Sequence, residues 1–325
     1  MILKPTTENI RTAAGVLRRG GLVAFPTETV YGLGADARNE SAVMKLFEVK
    51  GRPASDPLIV HIHSPAQLES VADIERNSSL QRRVELLLPF WPGPLSLVLP
   101  RHPSIPPIIA SGMKSVAVRI PAHPVAQELL RECGFPVAAP SANPFSYVSP
   151  TTAQHVEEQL GGKIDSILDG GTCQVGIEST VLSLVDDSAV ILRPGAVTKE
   201  QLEEVLGAVE LAGSSVKHDK LSPGLLDKHY SPRTRVALRS EVDPSTLRGN
   251  VGLITFFETY EDLGYEFHAV HTLSAKGNPA EIAQNLYSAL REQDNLGLDI
   301  ILIDSCPEIG LGRAIMDRVR KAIGR

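Results

Sequence analysis

Lys50-Gly-Arg52-Pro53 follows an apolar-periodic stretch from Ser41 to Val49 and places two cations around a glycine and before a proline. Gly51 suits a helix end, and the residue before a proline is pushed out of the helical region into an extended one. Residues two apart on extended chain project to one side, so Lys50 and Arg52 emerge together, a pair suited to a polyphosphate. The same residues fit a solvated basic helix terminus that complements the helix dipole. Arg119 and Arg193 each end an apolar strand, Val116-Ala-Val-Arg119 and Val190-Ile-Leu-Arg193. A charge at such a point must be paired, and a guanidinium fork is the natural clamp for a carboxylate. That carboxylate is either a ligand's or one of Glu28, Asp36, Asp169 and Glu178.

Two further stretches carry polar tips on rigid backbone. In Phe25-Pro-Thr-Glu-Thr-Val-Tyr-Gly-Leu-Gly34 a strand runs into a hydroxyl-rich, glycine-punctuated turn where the hydrophobic pattern stops. In Pro140-Ser-Ala-Asn-Pro144 small residues between prolines let a ligand approach the backbone and be read by hydrogen bonds, or else Ser141 and Asn143 satisfy backbone groups of a turn. The sequence contains no Walker A run, no complete GxGxxG, no HExxH and no CxxC. A nucleotide, if bound, is held by another device.

The elements that must position these residues alternate. Helical spacing covers 7–19, about 41–49, 124–132, 151–160 and 198–206. Strand-like runs cover 22–25, 57–62, 95–99, 116–120, 137–139, 179–185 and 190–193. This predicts an α/β domain with a twisted mixed sheet over 1–210. Residues 211–233 are polar, Gly/Pro-punctuated and non-periodic, and read as an interdomain linker. From 234 to 325, strands at 251–256, 267–270 and 299–304 alternate with helices near 279–293 and 312–323, predicting a smaller Rossmann-like α/β domain. Its Gly310-Leu-Gly312 lacks the third glycine and the strand–turn–helix setting of a dinucleotide fingerprint, so no cofactor is expected there.

A chain of 325 residues has room for two domains without disulfide or metal support. Its net charge of −6 argues against a protein that chiefly coats nucleic acid, while leaving room for local cationic patches and weak RNA contact. Cys133, Cys173 and Cys306 are isolated and odd in number, which fits reduced thiols. No apolar run is long enough to span a membrane, and Met1-Ile-Leu-Lys-Pro5 does not open a secretory signal, so the expected location is the cytoplasm.

Taken together, Pro26-Thr-Glu-Thr-Val-Tyr-Gly-Leu-Gly34, Lys50-Gly-Arg-Pro53, Asp56-Pro-Leu-Ile-Val-His61, Trp91-Pro-Gly-Pro94, Val118-Arg-Ile-Pro121, Pro140-Ser-Ala-Asn143, Gly176-Ile-Glu-Ser-Thr180 and Arg193-Pro-Gly195 closely resemble the YrdC-like threonylcarbamoyl-AMP synthases. The stretch Ser222-Pro-Gly-Leu-Leu-Asp-Lys-His-Tyr-Ser-Pro232 resembles the linker of the family's two-domain form, except that Leu226 and Asp227 stand where an aromatic and a basic residue are usual.

The resemblance implies an enzyme that makes threonylcarbamoyl-AMP and pyrophosphate from L-threonine, bicarbonate and ATP. The product then goes to a transferase complex that modifies the adenosine beside the anticodon in tRNA. It implies a threonine pocket of Thr29, His61, Arg119, Ala139 and Ser179, with Arg119 on the α-carboxylate. It further implies ATP contacts from Lys50, Arg52, Asp56, Ser115, Ser141, Asn143, Ser149, Arg193 and Tyr230, with Lys50 and Arg52 acting on the reacting phosphates. Mg2+ is expected to ride on the triphosphate, with no dedicated protein cage. Residues 213–233, holding Pro223, Pro232 and Tyr230, are expected to close over the site as a gate. Two other readings stand beside this one: an RNA- or ribosome-binding module using the same basic concave surface, and a carbamoyl-phosphate-using transferase, which the lack of acylphosphatase and Cys-rich zinc modules opposes.

Overall fold

Short runs of Val, Leu, Ile and Ala form two sheets, and the helices between them cover their faces. The structure, a computed structural model, describes residues 1–74, 77–212, 230–257 and 265–324. The first sheet comprises β1 (Ile2–Leu3), β2 (Val23–Phe25), β3 (Gly32–Asp36), β4 (Ile59–His61), β5 (Leu95–Pro100), β6 (Ser115–Arg119), β7 (Val137–Ala138), β8 (Ser166–Leu168), β9 (Thr180–Ser183), β10 (Ala189–Arg193) and β11 (Val209–Leu211). Its order is β1-β8-β2-β3-β7-β4-β6-β5-β9-β10-β11, with parallel and antiparallel neighbours mixed, as expected.

Register gathers the candidate residues. His61 on β4 pairs with Arg119 on β6, Arg119 with Ser96 on β5, Ser96 with Val181 on β9, and Val181 with Arg193 on β10. Five neighbouring strands thus place His61, Arg119 and Arg193 in one row. Neighbouring strands lie about 4.8 Å apart, so residues far apart in sequence meet within a ligand's length.

The first unit carries α1 (Thr7–Arg18), α2 (Glu40–Lys50), α3 (Ser78–Leu87), α4 (Pro124–Cys133), α5 (Ala153–Leu160) and α6 (Lys199–Leu206). Asn39 caps α2 by accepting the Ala42 N–H at 3.2 Å, and Gly51 ends it in the left-handed region at φ 63°. A side chain is strained at that angle, which accounts for glycine there. The buried faces of α1 (Ile10, Ala13, Ala14, Leu17) and α4 (Ala126, Leu129, Leu130, Cys133) share one apolar cluster with β2. Strand β3 falls where the sequence reads as a turn. It holds Gly32 and Gly34, and a methyl group on Gly34 would sit 3.0 Å from the Phe25 ring, so the strand trades side chains for close approach.

The second sheet is parallel, in the order β12 (Val236–Leu238), β15 (Ile300–Ile303), β13 (Val251–Thr255), β14 (Ala269–Thr272), with α7 (Pro279–Asp294) and α8 (Leu311–Ile323). This is the Rossmann-like build the alternation predicts. Gly310-Leu-Gly312 does follow a strand, β15, and opens a helix, α8, with Gly310 as its N-cap, correcting the expected setting; the third glycine is still missing.

One apolar cluster bridges the two units, joining Val30, Val148 and Ile177 to Ile282, Leu286, Tyr287 and Leu290 of α7. Gly176, at φ 78°, lets the backbones touch: a Cβ there would come within 2.4 Å of the Gln284 Cα. The gate expected over 213–233 falls mostly outside the described residues, apart from Tyr230 and the residues that follow it.

Candidate active site

The row of strand ends opens into a narrow cavity. Its lining brings together nine of the expected residues: Thr29, Arg52, His61, Arg119, Ala139, Ser141, Ser179, Arg193 and Tyr230.

The turn between β2 and β3 is built by hydroxyls. Thr27 Oγ1 donates to the Val30 carbonyl at 2.6 Å and accepts the Thr29 and Val30 N–H groups, both at 3.2 Å. This fixes Thr29, whose Oγ1 accepts from Arg119 Nη1 at 2.9 Å. Arg119 also donates Nη2 to Glu28 Oε1 at 2.7 Å and Nε to the Gly93 carbonyl at 3.2 Å. Each Nη carries a second N–H, so the fork retains donors for a ligand while its charge is balanced by Glu28. Of the four carboxylates the sequence offered to Arg119, Glu28 is the one it pairs with.

His61 lies beside Arg119, 3% exposed, and among the described residues its Nδ1 has no hydrogen-bond partner. Burial, reinforced by the Arg119 charge, pushes its pKa down to about 3. His61 is therefore a neutral imidazole at physiological pH, able to hydrogen-bond a neutral or anionic group without adding charge. Ala139 lines the cavity, and a methyl group on Gly32 would stand 3.3 Å from its Cβ.

The cations at the end of α2 depart from expectation. Lys50 and Arg52 do not emerge into solvent; they are 3% and 6% exposed. Lys50 Nζ donates to the Ser141 carbonyl at 2.6 Å and to the Asn143 carbonyl. Arg52 donates Nη2 to the Pro57 carbonyl at 2.8 Å and Nε to the Asp56 carbonyl at 3.2 Å. Its Nη2 also lies 2.9 Å from Asp56 Oδ2. That contact is a charge pair without hydrogen-bond alignment, since Asp56 Oδ2 makes no hydrogen bond among the described residues. The solvated-terminus reading is thus overturned, because the left-handed Gly51 turns the chain inward. Burial, with the neighbouring Arg52 charge, lowers the Lys50 pKa well below the ordinary lysine range. Burial raises the Asp56 pKa against the pull of Arg52 and Lys50.

Arg193 binds Ser179 three times: Nε and Nη2 to its carbonyl at 3.2 and 3.0 Å, and Nη2 to its Oγ at 3.2 Å. Its Nη1 reaches the Tyr230 hydroxyl at 3.4 Å. Tyr230, 1% exposed, holds a positive φ of 58°, a strained setting for an aromatic residue, and tilts against Tyr287 of α7. Near this end of the cavity the buried basic side chains of Lys50, Arg52 and Arg193 gather around Asp56, a cluster suited to phosphate.

Five expected residues are not among those lining the cavity. Lys50 is bound to the Ser141 and Asn143 carbonyls, and Asp56 is paired with Arg52. Ser149 Oγ donates to Glu178 Oε1 at 2.5 Å. Ser115 opens β6, four residues from Arg119 and about 13 Å along the strand. Asn143 turns its amide to the Pro144 and Tyr147 carbonyls at 2.8 and 2.9 Å, the turn-satisfying role weighed for it.

The cavity also contains residues the sequence reading did not assign to it: Thr27, Val30, Ile59, Pro140 and Glu178. Glu178 is the consequential one. It accepts from Ser149, from the Tyr287 hydroxyl at 2.9 Å and from Arg318 Nε at 2.7 Å. Burial alone would raise its pKa, but the Arg318 and Arg193 charges and these hydrogen bonds hold it down at about 2. Its one sequence signal was a carboxylate set directly before Ser179 in an otherwise small and apolar block.

The fold and cavity define a class: a two-sheet α/β protein with an arginine fork and a cationic corner at the strand ends of a mixed sheet. Residues 15–195 match a sequence family of the Sua5/YciO/YrdC group described as telomere recombination, and residues 197–324 match the threonylcarbamoyl-AMP synthase C-terminal domain. The chain belongs to the threonylcarbamoyl-AMP synthase family. It is 44% identical to the threonylcarbamoyl-AMP synthase of Pyrococcus abyssi, with 97% of this chain and 94% of that protein covered. It is 43% identical to that of Bacillus subtilis, with 99% and 95% covered. The crystal structure of P. abyssi Sua5 complexed with L-threonine superposes with a TM-score of 0.91 at 42% identity, covering 100% of this chain and 98% of that one. Among the described residues no helix is long and apolar enough to cross a membrane.

Proposed function

We propose that this chain joins L-threonine, bicarbonate and ATP into threonylcarbamoyl-AMP, releasing pyrophosphate, in the cavity described above. The observation that carries this reading is Arg119, charge-balanced by Glu28, fixed on Thr29, and keeping N–H groups for an α-carboxylate beside the buried basic side chains of Lys50, Arg52 and Arg193. The relative solved with L-threonine has the same fold over its whole length. Threonine's amine, as the free base, forms a C–N bond to CO2 drawn from bicarbonate, and the amine proton leaves with the bicarbonate's hydroxide as water. A carbamate oxygen then attacks the α-phosphorus, and the bond to the departing pyrophosphate breaks.

This sequence of steps needs no protein nucleophile. It needs alignment and charge neutralisation. In this reading Arg119 and Thr29 hold the carboxylate end, and neutral His61 offers Nδ1 to the substrate. Ser179 lies between the amino-acid and phosphate sides. Arg52 and Arg193 face the phosphates, and Lys50 supports that wall through the Ser141 and Asn143 carbonyls. Ser115, Asn143 and Ser149 stand outside the cavity lining.

Mg2+ fits this site as a passenger of the triphosphate. The described residues gather no group of three or more His, Cys, Asp or Glu around one point, and Glu178 is already filled by Arg318 and Tyr287. The ion would add charge neutralisation on the phosphates while keeping its own waters. We place the work in the cytoplasm, in keeping with three free thiols, and the product with a transferase acting on the adenosine next to the anticodon of tRNA.

The RNA-binding alternative is less favoured, because the relatives matched over nearly the whole chain are threonylcarbamoyl-AMP synthases. The test is incubation of pure protein with ATP, labelled bicarbonate and each amino acid in turn. Pyrophosphate and a labelled adenylate with threonine are expected; salt-sensitive RNA retention without either product would favour the alternative.

A further inference from the structure

The Glu178–Ser179 peptide is gripped from both sides. Arg193, from β10, takes the Ser179 carbonyl and hydroxyl. Arg318, from α8 of the second unit and 0% exposed, takes the Glu178 carboxylate at 2.7 Å and its carbonyl at 3.4 Å. The Tyr287 hydroxyl of α7 donates to the same Oε2, and Ser149 fills Oε1. Backbone closes the remaining directions. A Cβ on Gly195 would come within 2.3 Å of the Thr180 nitrogen, and one on Gly176 within 2.4 Å of α7.

A buried arginine–glutamate pair is a poor device for stability alone, since apolar residues of similar size usually do as well. This pair joins residues 140 positions apart, and its carboxylate lines the cavity. Arg318 also lies 5.3 Å from the Tyr230 ring centre, the ring whose hydroxyl meets Arg193.

We propose that Arg318 and Tyr287 are positioning residues for the reaction: through Glu178 and Tyr230, the second unit sets the cavity wall that carries Ser179 and Arg193. The inference rests on the function proposed above. The groups facing Glu178 are Arg318 on α8, Tyr287 on α7, Arg193 on β10, Tyr230 and Ser149; Asp317 and Lys321 flank Arg318. Without Arg318, burial dominates the Glu178 carboxyl, and its proton affinity rises.

The test compares the full chain with Arg318→Met, Arg318→Lys and Tyr287→Phe, measuring melting temperature and the pH dependence of kcat and KM for threonine. Arg318→Met is expected to lose about tenfold or more in kcat/KM well below its melting temperature, as for loss of a hydrogen bond to a charged group. Its rate should also fall off on the acid side at a higher pH than that of the wild type. Arg318→Lys should recover part of the rate, and Tyr287→Phe should lose a smaller factor without changing shape or volume. Should Arg318→Met fail to fold, the other two carry the test. Variants with lowered melting temperatures but wild-type kcat/KM and pH profile would make the pair a domain staple and overturn the inference. A wild type that forms no pyrophosphate would overturn the proposed function first, and this inference with it.

Discussion

Two buried arginine–glutamate pairs serve one cavity, and they are built differently. Arg119–Glu28 lies within the first unit: the arginine ends β6, the glutamate sits on the β2–β3 turn, and Oε2 of Glu28 is anchored by the Ala122 N–H at 3.0 Å. Arg318–Glu178 crosses between units and exists only while α7 and α8 are docked on the 176–180 segment. The first pair has the permanence of a sheet; the second depends on an interface. Under the proposed function, recognition of the amino-acid carboxylate would belong to the first unit alone, and the wall proposed to face the phosphates would be completed by the second.

Removing the second unit should break the comparison most severely. A chain ending at residue 210 keeps Arg119–Glu28 but strips Glu178 of two donors, each contributing about 1.5–3 kcal/mol as a bond to a charged group. Its threonine-dependent pyrophosphate release should fall about a hundredfold or more. Full-rate turnover by a folded 1–210 protein would show the second unit to be dispensable.

On the side of the first pair, serine should replace threonine poorly without being rejected outright. Loss of one methyl from a snug niche is worth roughly 10–200-fold in kcat/KM, and equal rates would remove threonine as the defining substrate. Gly176→Ala strains the interface rather than deleting it. Overpacking costs about 1–3 kcal/mol, and the positive φ adds to it. A lower melting temperature together with slower turnover is expected, and an unshifted melting curve would contradict the close approach to α7.

The smallest effect concerns His61. Its folded pKa, about 3, lies below the ordinary histidine value of 6.5. The unfolded chain therefore takes up this proton first as pH falls, so the site contributes a loss of stability between 6.5 and 3 and none above 6.5. Histidine-labelled NMR should show one ring, absent in His61→Gln, that stays neutral throughout pH 5–8; a midpoint near 6.5 would place His61 in water.

Much of this was legible in sequence because the signals were local. Alternating apolar runs gave the central strands and helices, and arginines ending apolar strands marked Arg119 and Arg193. The glycines of β3 hid a strand, since tight packing against Phe25 leaves no hydrophobic alternation to read. Short edge strands such as β1 and β11 offered too few residues for a period, and the polar face of α3 masked its helix. The inward turn of Lys50 was invisible because its partners, the Ser141 and Asn143 carbonyls, lie more than 90 residues away. Glu178 was weighed only as a possible salt-bridge partner, because Arg318, Tyr287 and Ser149 reach it from three distant segments.

The most direct measurement of the division of labour is calorimetry of threonine and of ATP on the wild type and on Arg119→Lys. Lysine keeps a charge near Glu28 but loses the fork that holds Thr29 and a ligand carboxylate together. Threonine affinity is expected to weaken about tenfold or more, a charged hydrogen bond's worth, with ATP affinity nearly unchanged. Unchanged threonine affinity in the folded variant, or equal losses for both ligands, would contradict a carboxylate clamp at Arg119 set apart from the phosphate side.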